Sequence, residues 1–210
     1  MEKFQNKYRI SSTRLQNWDY RWAGAYFITI CTQNREHFFG EIENGKMQLS
    51  EIGKIAEMEW LKTFELRPDM NLYQGEFVVM PNHFHAIIGI GENEFNRPSR
   101  IGNGNRRDAM HCVSTNDNNK DAMHCVSTID TNTNKPQNQF GPQSKNLASI
   151  VRGFKSSVTV AARKINPDFQ WQSRFHDHII RNEESFQKIT NYIICNPANW
   201  QDDKFYKAEP

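Results

Sequence analysis

Hydrophobic residues recur along this chain in two rhythms. Tyr26-Phe27-Ile28-Thr29-Ile30-Cys31-Thr32 is dense in β-branched and aromatic residues, which predicts a strand. Glu76 to Met80 and His83 to Ile90 are apolar runs separated only by Pro81-Asn82, which predicts two antiparallel strands joined by a tight turn. Phe38 to Ile42 and Lys46 to Leu49 flank Asn44-Gly45, a hairpin signal. Elsewhere the period lengthens. After Ser50, a good N-cap, Ile52, Ile55, Ala56, Trp60 and Phe64 mark one face of a helix running to about Leu66. Leu147, Ile150, Val151, Phe154, Val158 and Ala161 mark a second, ending near Lys164. Phe169 to Gln172 and Phe175 to Arg181 suit short extended pieces. Glu183-Glu184 opens a last helix, which must end near Asn196 because Pro197 disfavours helix at the residue before it.

The rhythm lapses twice. Residues 1–22 are basic, polar and aromatic, and read as an arm; residues 91–145 are rich in Asn, Asp, Ser and Thr, and read as a long flexible insertion. That leaves 23–90 and 146–210 to form one domain. The insertion holds an internal repeat, Asp108 to Thr115, copied at Asp121 to Thr128. Its adjacent pairs His111-Cys112 and His124-Cys125 lack the spacing that zinc ligands need to turn inward. Arg107 to Ser114 can instead be encoded by a string that is its own reverse complement, as a translated inverted-repeat DNA element would be.

Composition adds little until charge is located. The formal net charge of the 210 residues is +2, yet the stretch 145–164 carries Lys145, Arg152, Lys155, Arg163 and Lys164 without an acid. A one-signed surface of this kind suits an anionic polymer. The four cysteines do not make a disulfide framework, and no run is long and apolar enough for a membrane span. The expected setting is bacterial cytoplasm, near the nucleoid, with no membrane partner.

The chemistry gathers at both ends of this frame. His83 and His85 are two apart on a strand, so both side chains leave one face and could serve as paired metal ligands. Tyr192 and Asn196 are four apart on a helix and share a face. A tyrosine hydroxyl beside a metal ligand suits phosphoryl transfer, the phenolate attacking phosphorus while the cation neutralises developing charge. No general base is evident from the sequence. The residues alone also allow plainer roles: a polar strand face, a half-buried ring, a helix cap. His176 and His178 form a rival i, i+2 pair.

Four blocks carry a resemblance: Tyr26 to Arg35, Val78 to Ile88 with its Met80-Pro81-Asn82-His83-x-His85, Trp171 to Arg181, and Tyr192-x-x-x-Asn196-Pro197 with Trp200. Together they resemble the REP-associated tyrosine transposases, single-tyrosine members of the HUH (His-hydrophobic-His) nucleases. The resemblance implies an α+β, ferredoxin-like (RRM-like) antiparallel sheet with helices packed on one face. It implies Tyr192 as nucleophile, His83, His85 and Asn196 as ligands of Mg²⁺ or Mn²⁺, and cleavage of single-stranded DNA beside hairpin elements. The product would be a 5′-phosphotyrosine link that a second hydroxyl reverses, in a monomer or a homodimer. Charge and aromatic content nominate Arg9, Arg14, Arg21, Arg152, Lys155, Arg163, Trp171 and Arg174 for DNA contact. Two other classes compete. One is a nucleic-acid-binding module without chemistry; the other is a metal-dependent phosphodiesterase that uses water and does not need Tyr192.

Overall fold

A computed structural model describes residues 18–97 and 144–206. Arg9, Arg14 and the repeat with its His-Cys pairs lie outside the described residues. The central strand is β1 (Gly24–Cys31). After it come a hairpin of β2 (Gly40–Glu43) and β3 (Lys46–Leu49), helix α1 (Glu51–Glu65), and strands β4 (Leu72–Met80) and β5 (His83–Ile90). Helix α2 (Leu147–Ala162), strand β6 (His176–Ile180) and helix α3 (Glu183–Cys195) complete the set. The main sheet runs β4-β5-β1-β6, and all its pairings are antiparallel. This is the ferredoxin-like order, with β2–β3 added between β1 and α1.

Local chemistry explains the boundaries. Ser50 caps α1 by accepting from the Gly53 amide at 3.0 Å, while its hydroxyl donates to the Phe38 carbonyl at 2.8 Å. Asn146 and Ser149 form a reciprocal capping box at the start of α2. Asn182 caps α3, whose first turn carries Glu183 and Glu184. β4 starts four residues earlier than its apolar run suggests. The added segment, Leu72 to Gly75, is joined to the rest across a bulge between Gln74 and Phe77. Tyr73 lies opposite Gly89 and its ring covers it, so that a Cβ at Gly89 would overlap the ring.

The two faces of the sheet have different tenants. Tyr26, Ile28 and Ile30 of β1 and Phe84, Ala86 and Ile88 of β5 pack against α1 and α2, with Trp60 and Phe154 at the centre. These helices share one face, as expected. The third helix, α3, covers part of the other face through Phe186, Ile189 and Ile193, which meet Phe27, Ile87 and Ile180. β5 is therefore buried along its whole length, which is why its sequence reads as nearly continuous apolar residues. Its histidines fall on the α3 face by alternation.

Residues 91–97 belong to this frame. The Asn93 amide donates to the Met70 and Gly91 carbonyls, and the Asn96 amide to those of Arg21 and Gly91. No helix among the described residues is long and apolar enough to cross a membrane.

Candidate active site

Strand alternation places His83 and His85 side by side, with ring centroids 4.5 Å apart and both side chains essentially fully buried. Each imidazole is oriented by a partner on Nδ1. The Asn82 amide nitrogen donates to the carbonyls of Phe205 and Arg35, at 3.0 and 3.4 Å. That fixes Asn82 Oδ1 toward His83 Nδ1, 2.9 Å away. An amide oxygen can only accept, so His83 carries its proton on Nδ1 and presents a bare lone pair at Nε2. His85 Nδ1 lies 2.8 Å from Thr29 Oγ1, the residue directly opposite on β1.

Helix α3 brings the second half. Tyr192 Oη is 3.2 Å from His85 Nε2 and 3.2 Å from a carboxylate oxygen of Asp203. Asn196, one turn on and 3% exposed, donates from Nδ2 to the same Asp203 oxygen at 2.9 Å. Its Oδ1 is thereby turned away from the carboxylate. The Phe205 amide donates to the other Asp203 oxygen at 2.7 Å. Phe27 stacks on the His85 ring at 5.2 Å and meets Tyr192 edge-on at 6.2 Å, while Phe205 lies 4.6 Å from the His83 ring.

Two buried polar atoms here have no hydrogen-bond partner, His83 Nε2 and Asn196 Oδ1. Leaving such atoms bare costs roughly 1–3 kcal/mol each, and both are lone-pair donors, the type a cation satisfies. His83, His85 and Asp203 can each offer a ligand atom within 4.8 Å of the others'. Among the described residues they are the group of His, Cys, Asp or Glu side chains that could hold a metal ion. Imidazole nitrogen with amide and carboxylate oxygen fits a divalent cation of the Mg²⁺ or Mn²⁺ type.

The electrostatics favour neutral imidazoles. Burial, reinforced by His85, holds His83 well below its usual range. Burial takes His85 down to about 3, against the opposing pull of the Asp203 charge. Burial and then the Asp203 charge push Tyr192 up to about 12. The phenol is a poor nucleophile until positive charge arrives beside it.

Sequence reasoning brought four of these side chains into view, His83, His85, Tyr192 and Asn196, and the structure gathers all four. It missed Asp203, which nothing in the sequence separates from Asp202 beside it. Phe27 and Thr29 were findable, since alternation along β1 puts them on the histidine face. The rival pair lies on the exposed edge strand β6, His176 opposite Thr29 and His178 opposite Phe27, outside the cluster.

The residues nominated for DNA contact divide. Arg152, Lys155, Arg163 and Trp171 line an open groove of about 440 Å³ along α2. Part of this set also holds the loop after α2: Lys155 donates to the Gln172 carbonyl at 2.6 Å, Arg163 to that of Phe169 at 3.1 Å, and the Trp171 indole to that of Lys155 at 3.2 Å. The Arg174 side chain is exposed near this groove's rim. The loop in turn pairs with the end of β1, through Gln172 to Cys31 and Thr32 to Trp171. Cys31 lies opposite His83, so the groove sits at the histidine end of the sheet. Arg21 is bound to Asp19 and precedes the other end of β1, roughly 23 Å of strand away at about 3.3 Å per residue.

No family model matches the chain. A REP-associated tyrosine transposase, solved bound to a REP hairpin, superposes with a TM-score of 0.52 at 17% identity, over 93% of this chain and 77% of that one. At that identity the likeness is one of fold. An uncharacterized protein of Haemophilus influenzae is 35% identical over 199 residues, spanning 93% of this chain and 92% of its own length. The chain thus has the α+β fold of the REP-associated transposase structure and belongs to the same family as the Haemophilus influenzae protein.

Proposed function

We propose that this protein is a metal-dependent tyrosine nuclease and strand transferase that acts on single-stranded DNA beside hairpins. The observation that carries the reading is the meeting of the Tyr192 hydroxyl with a buried set of lone-pair donors, two of them without partners. A phenol held between an imidazole and a carboxylate, in a cluster with two orphaned lone pairs, supports a reaction over a binding module without chemistry.

His83, His85, Asn196 and Asp203 would hold the cation. When bound, it polarises a phosphodiester oxygen and offsets the charge that develops on phosphorus. The chain's own residues do the rest. Asn82 and Thr29 keep the imidazoles turned inward. Asp203 orients both the Tyr192 hydroxyl and the Asn196 amide, and its carboxylate oxygen takes the phenolic proton. Tyr192 Oη attacks phosphorus, the bond from phosphorus to the 3′ oxygen breaks, and that oxygen leaves as a 3′-hydroxyl, taking the proton that Asp203 accepted from Tyr192. The 5′ phosphate stays on Tyr192. Attack by another 3′-hydroxyl reverses the exchange and rejoins strands, so no nucleoside triphosphate is consumed. Phe27 packs against both His85 and Tyr192, keeping the nucleophile in register with the strand that carries the histidines.

A denaturing gel of the protein with labelled, hairpin-tailed single strands and Mn²⁺ tests the reading. The expected result is a slow protein–DNA band that disappears in Tyr192→Phe and in His83→Ala. Cleavage that survives Tyr192→Phe without such a band would replace the tyrosine with water. Binding without cleavage under any metal would leave only a recognition module.

A further inference from the structure

Beside the site lies a second cavity, of about 560 Å³, that the chemistry above does not use. Its walls are the β2–β3 hairpin on one side and the segment after α3 on the other. The two meet where a Cβ at Gly45, in the left-handed turn of the hairpin, would lie 3.5 Å from the Ala198 backbone. Trp200 is the wall shared with the candidate active site, its ring 5.9 Å from that of His83. Tyr206, 43% exposed, stands edge-on to Trp200 at 5.4 Å, and His37 closes the far side at 5.9 Å.

We infer that this cavity receives one unstacked base of the DNA strand, from a nucleotide next to the scissile phosphate. The inference rests on the nuclease reading for its location and on the cavity's own chemistry for its ligand. Among the described residues that line it there is no lysine or arginine, whereas Glu41 and Asp202 are both present. A phosphate would be repelled there. The neutral part of a nucleotide is its base. Aromatic rings supply a stacking surface that any base can use. Asn44, Asn199 and Gln201 supply amides that pair donor with acceptor, the groups that read base edges. The two carboxylates only accept, so they favour bases bearing an exocyclic amino group (adenine, cytosine, guanine) over thymine.

Continuity makes the position fit. A 3-10 turn, Trp200–Asp202, carries the cavity wall, and the next residue is Asp203, which touches Tyr192 and Asn196. A strand whose phosphate lies at Tyr192 therefore passes the mouth of the cavity within about one nucleotide. The basic groove along α2 lies on the opposite face of the sheet, at the same end, and would take other phosphates of the same strand, so that the two surfaces divide the work between charge and base identity.

The test is an abasic scan. Labelled single strands with a hairpin and flanks, each lacking one base, are titrated with the protein in EDTA, and anisotropy reports affinity without cleavage. The expected result is one position where base removal weakens binding roughly tenfold, the size of a lost stacking contact. Thymine there should bind more weakly than adenine or cytosine, and both effects should fade in Gln201→Ala and in Tyr206→Ala, whose side chains are exposed. A flat scan, or a scan that both variants leave unchanged, overturns the inference. The gel with Mn²⁺ separates the two claims. An adduct with a flat scan removes the base pocket and leaves the nuclease. A position-dependent scan without an adduct keeps the pocket and removes the nuclease.

Discussion

At the scale of single residues the site depends on side chains that never meet substrate. Asn82 is buried between two carbonyls that fix its amide, and this fixed amide decides which nitrogen of His83 is bare. Partners of this kind typically control metal affinity by 10- to 100-fold. Asn82→Ala should therefore weaken Mn²⁺ binding by about tenfold or more, read by electron paramagnetic titration of free Mn²⁺; unchanged affinity would mean that His83 is not a ligand. The same burial sets a pH dependence. The folded His85 has its proton affinity lowered to about 3 from an ordinary value of 6.5, and His83 moves the same way. Between those values the unfolded chain binds more protons than the folded one. The stability these two groups contribute is complete above about 6.5 and is lost as pH falls toward 3. In chelator, the melting temperature should drop between pH 6.5 and 5, and His85→Gln should reduce the slope.

At the scale of elements, the stripes of α1 and α2 meet in an aromatic knot that supports β5 from behind. Trp60 lies 5.1 Å from Phe84 and 5.3 Å from Phe154, fully buried. Phe84 sits between the two histidines in sequence and faces away from them, so packing on one face sets the strand that carries chemistry on the other. Trp60→Ala should cost about 3–5 kcal/mol. The buried indole nitrogen has no hydrogen-bond partner, so Trp60→Phe removes an unsatisfied donor along with some volume. It should cost distinctly less, and urea melts of the two variants measure the difference. Much at this scale was legible in the sequence, because burial on one side imposes a period. The helices and the strand pair around Pro81-Asn82 follow from spacing, which also pairs His83 with His85 and Tyr192 with Asn196; that the two pairs share one site was what the family resemblance implied. The start of β4 did not, since Tyr73-Gln74-Gly75 is polar and is held by its pairing with β5 and by the Tyr73 ring over Gly89. Asp203 did not either. It acts from an irregular turn, where no repeat marks one carboxylate above its neighbour.

At the scale of the whole molecule, β1 lies between β5, from before the 98–143 segment, and β6, from after it. The candidate site has the same division. His83 and His85 come from one side, Tyr192, Asn196 and Asp203 from the other, and the Tyr192–His85 contact joins residues 107 apart. A cut within 98–143 would separate His83 and His85 from Tyr192, Asn196 and Asp203, and neither piece would hold the whole cluster. Two such pieces, expressed together, would regain activity only by pairing β6 to β1 and docking α2 beside α1. The architecture makes this protein a natural candidate for fragment complementation. Adduct formation by the mixed fragments, with none by either alone, is the expected outcome, and silence from a mixture that demonstrably associates would show that the uncut connection is itself required.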